Sequence, residues 1–150
     1  MKEKIVKISN SPEETFKVAL GLALEISEPC LIGLTGEMGA GKTTFAKGFA
    51  EGLEVKELIT SPTFLGISES YSGRLPFIHM DFYKKVIPKN LIEHFQKKGC
   101  IILIEWVDNF ESVFKENLNL DINVLIQYLN DKEGLILENK REIIVENALT

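Results

Sequence analysis

Apolar and polar positions recur along the 150-residue chain in two different periods, and the switches between them mark out its elements. Residues 4–8 (KIVKI) read as a short strand. SPEE at 11–14 announces a helix, with Ser11 as cap, Pro12 at the first helical position and Glu14 reaching back as a capping box. Phe16, Ala19, Leu20, Ala23 and Leu24 follow at helical spacing and predict one buried face. CLIGLT (30–35) is apolar almost throughout, as expected of a strand covered on both faces in a parallel sheet. A second helix opens near Lys42, with Phe45, Ala46, Phe49 and Ala50 on one face and Gly52 as its C-terminal stop.

Beyond Gly52 the period shortens. From Phe64 to Phe82 two extended runs flank SGR (72–74) and predict a hairpin. Residues 90–98 read as a short polar helix, and CIILIE (100–105) repeats the buried-strand pattern. INVLIQYL (122–129), the turn NDKEG, LILEN and REIIVEN predict an antiparallel C-terminal meander. With no repeats, linkers or low-complexity segments, the expectation is one α/β domain over residues 1–150. Its mixed sheet would be parallel in the centre and antiparallel at the hairpin and C-terminal strands.

Composition narrows the class. Apolar residues make up 45% and charged residues 26%, an ordinary globular profile. Net charge is −5, which argues against a stand-alone nucleic-acid binder, since phosphate backbones are gripped by clustered Lys and Arg. Cys30 and Cys100 each open an apolar run without a CxxC or Cys/His cluster, so both read as buried thiols in a reducing compartment. Apolar stretches stop at about seven residues against the ~18 a membrane span needs. A cytoplasmic chain is the expectation.

Candidate chemistry begins at GEMGAGKTT (36–44). Gly36, Gly41, Lys42 and Thr43 satisfy G-x-x-x-x-G-K-[ST], with Gly39 as a further glycine. A random chain of this length would match about once in two hundred, and here a strand precedes the motif and a helix follows it. Glycines let successive N–H groups converge on one anion. The following helix adds its unpaired N-terminal amides. Lys42 supplies a cation for terminal phosphates and the Thr43 hydroxyl a ligand for Mg²⁺. The fold implied is the three-layer sandwich of P-loop NTPases.

Such a loop needs an acid from a neighbouring strand end. Glu105 follows four apolar residues in IILIE, and Asp81 ends FIHMD. One could orient metal-bound water and the other activate the attacking water, and spacing does not assign the roles. A GTPase is disfavoured: NKRE (139–142) lacks the final Asp of a guanine reader, and DKEG (131–134) reads as a turn. A small-metabolite kinase fits the size, but would close an arginine-bearing lid. The two arginines, Arg74 and Arg141, fall in predicted turns. Without an arginine finger, intrinsic hydrolysis is expected to be slow. A third reading is a nucleotide-gated binding module that does not turn over.

GEMGAGKTTFAKG (36–48), SPTF (61–64), HMDFY (79–83) and IEW (104–106), in that order, resemble the bacterial TsaE/YjeE family. Those proteins are small P-loop ATPases required for threonylcarbamoyladenosine modification of tRNA. The resemblance covers roughly residues 11–106. It implies ATP on Glu37, Met38, Gly39, Ala40, Gly41, Lys42, Thr43 and Thr44, with Trp106 beside it. It implies Mg²⁺ on Thr43 and Glu105, and Asp81 as needed for hydrolysis. Ser61 and Thr63 would form a switch-like segment, and His79 and Tyr83 match positions near the nucleotide. The implied partners are the TsaD and TsaB subunits, with tRNA met only through them. Lys84 stands where the family has Arg, Val107 where Pro is common, and the segment 85–99 is short.

Overall fold

The computed structural model describes residues 3–60, 66–83 and 87–149. The elements run β1 (Glu3–Ser9), α1 (Pro12–Leu24), β2 (Leu31–Gly36), α2 (Lys42–Gly52), β3 (Ile67–Ser70), β4 (Phe77–Asp81), α3 (Lys89–Lys97), β5 (Ile101–Glu105), α4 (Val107–Phe114), β6 (Ile122–Asn130) and β7 (Ile136–Asn147). The strands form one sheet in the order β1-β7-β6-β2-β5-β4-β3. β4, β5, β2 and β6 are parallel neighbours. β3 on one side, and β7 with β1 on the other, are antiparallel.

Alternation along the central strands builds two cores. Ile32, Leu34, Phe77, Ile101 and Leu103 face α1 and α2, where Phe45 and Phe49 meet them. Leu31, Ile78, Met80, Ile102 and Ile104 face the opposite way, onto Ile92, Phe95 and Phe110 of α3 and α4. The result is the expected three-layer α/β sandwich.

The start of α1 follows the sequence signal. The Ser11 hydroxyl accepts the Glu14 amide at 3.1 Å. Glu14 reaches one residue further back than a capping box requires, accepting the Asn10 amide. The buried stripe is rotated from the expected one: Thr15, Ala19 and Ala23 point inward and Leu24 is 63% exposed. Small residues win this face because α2 packs against the α1 backbone itself. A Cβ on Gly48 would lie 2.2 Å from the Phe16 carbonyl oxygen, and one on Gly52 2.6 Å from the Ala23 Cβ. Gly52 is the last residue of α2 but serves a helix–helix contact there and does not supply the left-handed turn; the left-handed residue past the helix is Glu54, at φ 65°. Alanine at Gly48 would gain about 1 kcal/mol in helix propensity but force a backbone clash costing about 3 kcal/mol. Gly48→Ala is expected to lose about 2 kcal/mol net, lowering Tm by roughly 4–8 °C in a thermal melt.

Arg74, in the β3–β4 connection, fastens both helix ends. Its guanidinium donates to the carbonyls of Ile26, Ala23 and Gly52 at 2.9–3.0 Å. A cation there meets the negative ends of two helices at once.

The C-terminal strands differ from a three-run meander. LILEN and REIIVEN belong to one strand, β7, and the third antiparallel partner is β1. Polar residues interrupt β7 without ending it, because the register shifts between Tyr128–Arg141 and Leu129–Leu137 and leaves residues 138–140 outside the ladder. DKEG is the turn between β6 and β7, with Asp131 Oδ1 accepting the amides of Glu133 and Leu135. Cys30 and Cys100 are both buried and unbonded to each other. Burial, with Asp121 nearby, pushes the Cys30 thiol up to about 12, so it is inert as a nucleophile.

Candidate functional site

The loop between β2 and α2 is shaped by backbone that side chains disfavour. Gly39 has φ 80° and Gly41 φ 114°. A Cβ on Gly36 would sit 2.5 Å from the Ile126 carbonyl oxygen of β6, so the loop's first glycine is fixed by close strand approach. Two side chains from the C-terminal hairpin brace the loop from below. The Tyr128 hydroxyl donates to the Met38 carbonyl at 3.1 Å, and Arg141 Nε to the Ala40 carbonyl at 3.1 Å. Arg141 also lies over the Tyr128 ring, 4.2 Å from its centre. Composition gave no hint of these braces; only the pairing of β6 with β7 brings them under the loop.

Lys42 opens α2 and is buried against its own loop. Its ammonium donates to the carbonyls of Gly36 at 2.6 Å and Glu37 at 2.9 Å. It also sits 4.2 Å above the centre of the Trp106 ring. Burial lowers its pKa, and the carboxylates of Glu105, Asp81, Asp108 and Glu37 work against that fall.

The two acids come from adjacent parallel strands and are register partners, Asp81 on β4 opposite Glu105 on β5. Counting by twos from Phe77 and Ile101, both point to the α2 side, where Lys42 starts its helix. Glu105 is buried, and its Oε2 accepts from His79 Nε2 at 2.6 Å. Asp81 is half-buried, with Oδ1 accepting the Tyr83 amide at 2.8 Å. Burial pushes the Asp81 pKa up; the Tyr83 amide pulls it down, Glu105 pushes it up, and His79 and Lys42 pull it down.

Trp106 follows the acid in left-handed backbone, φ 59° and ψ 42°. For so bulky a residue this conformation costs about 1–3 kcal/mol. Its amide, donating to the Leu34 carbonyl at 3.0 Å, carries the ladder one residue past β5 before the chain turns into α4. Tyr83 packs against its ring at 4.9 Å. Val107 is the first residue of α4, a position that also suits proline, so this departure from the family pattern does not disturb the turn.

A cleft of about 420 Å³ lies between these groups. Met38, Gly39, Gly41, Lys42, Thr43 and Thr44 form one wall, and Asp81, Tyr83, Glu105 and Trp106 the other. Glu37 is exposed on the loop beside it and Ala40 is buried beneath. His79 lies beneath the cleft, against Glu105. A second cleft of about 140 Å³ shares Gly39, Gly41 and Thr44, and adds Ser11, Thr15, Asn139 and Arg141, none of which the sequence marked as a site residue. Ser61, Thr63 and Lys84 lie outside the described residues.

Comparison with known proteins gives a consistent picture. The family model for "Threonylcarbamoyl adenosine biosynthesis protein TsaE" matches residues 9–134. The protein called tRNA threonylcarbamoyladenosine biosynthesis protein TsaE in Bacillus subtilis (strain 168) is 35% identical over 143 residues, covering 91% of this chain and 88% of its own. Its namesake in Nostoc sp. is 34% identical over 123 residues, covering 77% of this chain and 74% of its own. The crystal structure of Bacillus subtilis YdiB superposes with a TM-score of 0.78 at 31% identity, over 99% of this chain and 88% of that one. With a P-loop fold and a match spanning nearly the whole sheet, this chain belongs to the TsaE family of tRNA threonylcarbamoyladenosine biosynthesis.

Proposed function

We propose that the protein binds Mg-ATP in the larger cleft and hydrolyses it slowly, as an accessory subunit for threonylcarbamoyladenosine formation on tRNA. The observation that carries this reading is the convergence of the glycine loop, Lys42, Asp81 and Glu105 on one cleft. The loop amides and the positive end of α2 cradle the phosphates. Lys42 leaves the carbonyls of Gly36 and Glu37 to meet the terminal phosphates. The smaller cleft, continuous through Gly39, Gly41 and Thr44, gives the nucleoside room.

Thr43, Asp81 and Glu105 offer hard oxygen donors, which fit Mg²⁺; that ion takes one or two carboxylates and completes its shell with phosphate oxygens and water. Thr43 and Glu105 would hold it, and when bound it supplies charge neutralisation at the phosphates. Asp81, whose basicity burial raises, accepts the proton of the attacking water or orients that water.

Both arginines are already engaged, Arg74 at the helix ends and Arg141 under the loop. Neither is placed to neutralise a transferring phosphoryl group, which disfavours the kinase reading and agrees with slow turnover. TsaD and TsaB are the proposed partners, and the net charge of −5 suits a subunit that reaches tRNA only through them. An assay of phosphate release, with and without the TsaB–TsaD pair and tRNA, is expected to show weak activity alone and stimulation by the pair. Unchanged turnover on adding cognate partners would count against the assignment.

A further inference from the structure

We propose that His79 is a positioning residue: its Nε2 fixes the Glu105 carboxylate, and so sets how tightly a divalent cation joins the nucleotide in the cleft. This rests on the reading above that Glu105 takes the cation.

The pair is enclosed, His79 at 1% and Glu105 at 3% exposure, and the Nε2–Oε2 distance is 2.6 Å. His79 stands two residues before Asp81 on β4, on the same face of the sheet, and stacks on Phe77 with ring centres 6.2 Å apart. It does not line the cleft, whereas Glu105 does. Any influence on a bound ligand therefore passes through Glu105. Against a carboxylate, which only accepts, the ring nitrogen is the donor. One oxygen is thereby pinned, and Oε1 is left to meet a cation. A glutamate without that bond would be a buried carboxylate short of a partner, free to turn about its side-chain torsions.

A purely structural role explains the histidine poorly. Two of its neighbours on this face, Phe77 and the β5 register partner Leu103, are apolar core residues, while Asp81 and the β3 register partner Ser68 lie on its other sides. An apolar residue at 79 would continue that pattern, while the imidazole leaves Nδ1 buried with no hydrogen-bond partner among the described residues. Burying a half-satisfied ring costs stability. What the ring supplies in return is a fixed donor to the acid above it, the same service outer groups give to metal ligands elsewhere.

Trp106, the single tryptophan of the sequence, lines the cleft beneath Lys42 and gives a binding signal that needs no turnover. The experiment titrates a non-hydrolysable ATP analogue at graded Mg²⁺ and in EDTA, following tryptophan fluorescence. His79→Met is expected to raise the Mg²⁺ concentration for half-saturation by about 10–100-fold, leaving the EDTA affinity unchanged. His79→Gln, whose amide can donate from the place of Nε2, is expected to restore the Mg²⁺ dependence. A methionine variant with the parent's Mg²⁺ dependence, or a glutamine variant impaired as badly as methionine, overturns the proposal. If a thermal melt shows that the methionine variant does not fold, glutamine is compared with His79→Asn, which is too short to reach Oε2. A Mg²⁺ shift in asparagine alone supports the proposal, and equal behaviour of the two overturns it. Analogue binding by the unsubstituted protein that ignores Mg²⁺ would instead remove the underlying assignment of Glu105.

Discussion

Asp81→Ala is expected to bind Mg-ATP within about threefold of the unsubstituted protein while its turnover falls by about 10²–10⁴-fold, the span of a positioned acid–base group. The separation follows from where Asp81 stands. It ends β4 across the cleft from the glycine loop, bonded to the Tyr83 amide, whereas the phosphate-cradling amides and Lys42 belong to the opposite wall. Removing its carboxylate leaves that cradle intact. Single-turnover phosphate release beside calorimetric binding makes the measurement. A nucleotide-gated module that never needs hydrolysis makes the opposite forecast: Asp81→Ala would then retain full partner-dependent function. Joint loss of binding and turnover would mean that Asp81 holds the loop or the nucleotide and is not reserved for the reaction.

Lys42→Ala is expected to weaken ATP binding by about 10–100-fold, the equivalent of roughly 1.5–3 kcal/mol for a hydrogen bond to a charged group. The loss is bounded because Lys42 is not idle before the nucleotide arrives. It bonds two loop carbonyls and rests on Trp106, and those contacts must be given up when it turns to phosphate. The net gain is therefore smaller than an ammonium–phosphate contact made from bulk water. Calorimetric titration with ATP and with AMP separates the terms: the substitution should cost ATP affinity heavily and AMP affinity little. Equal losses for both would place the lysine away from the terminal phosphates.

Most of the sheet and the loop were legible because local chemistry and final packing agree there. SPEE starts α1, CLIGLT and CIILIE are central strands, and GEMGAGKTT is the loop between β2 and α2. The expectations that failed are those that tertiary contacts decide. Leu24 lost its inward place because α1 meets α2 through Gly48 and Gly52, and only the pair of helices shows that small residues must face inward. α4 was missed: it begins directly after β5, and its cap is a left-handed tryptophan, a residue that carries no capping signal. The strand β7 runs through ENKRE, whose polarity resembles a loop, because a register shift lets residues 138–140 leave the ladder. Of the candidate site, Lys42, Thr43, Asp81, Glu105, Trp106 and Tyr83 are brought together along one cleft. The roles of Tyr128 and Arg141 as loop braces arise from a contact across about ninety to a hundred residues of sequence, which no local pattern encodes.

The pairing of β1 with β7, Glu3 opposite Asn147, ties together segments that leave the ribosome far apart in time. Until residues 136–147 have emerged, β1 has no ladder to join, and its apolar Ile5, Val6 and Ile8 must wait unpaired. Such distant pairings slow folding. During translation the parallel centre can assemble before β7 closes on β1, so a stalled or prematurely terminated product would keep the glycine loop yet present an open, adhesive flank.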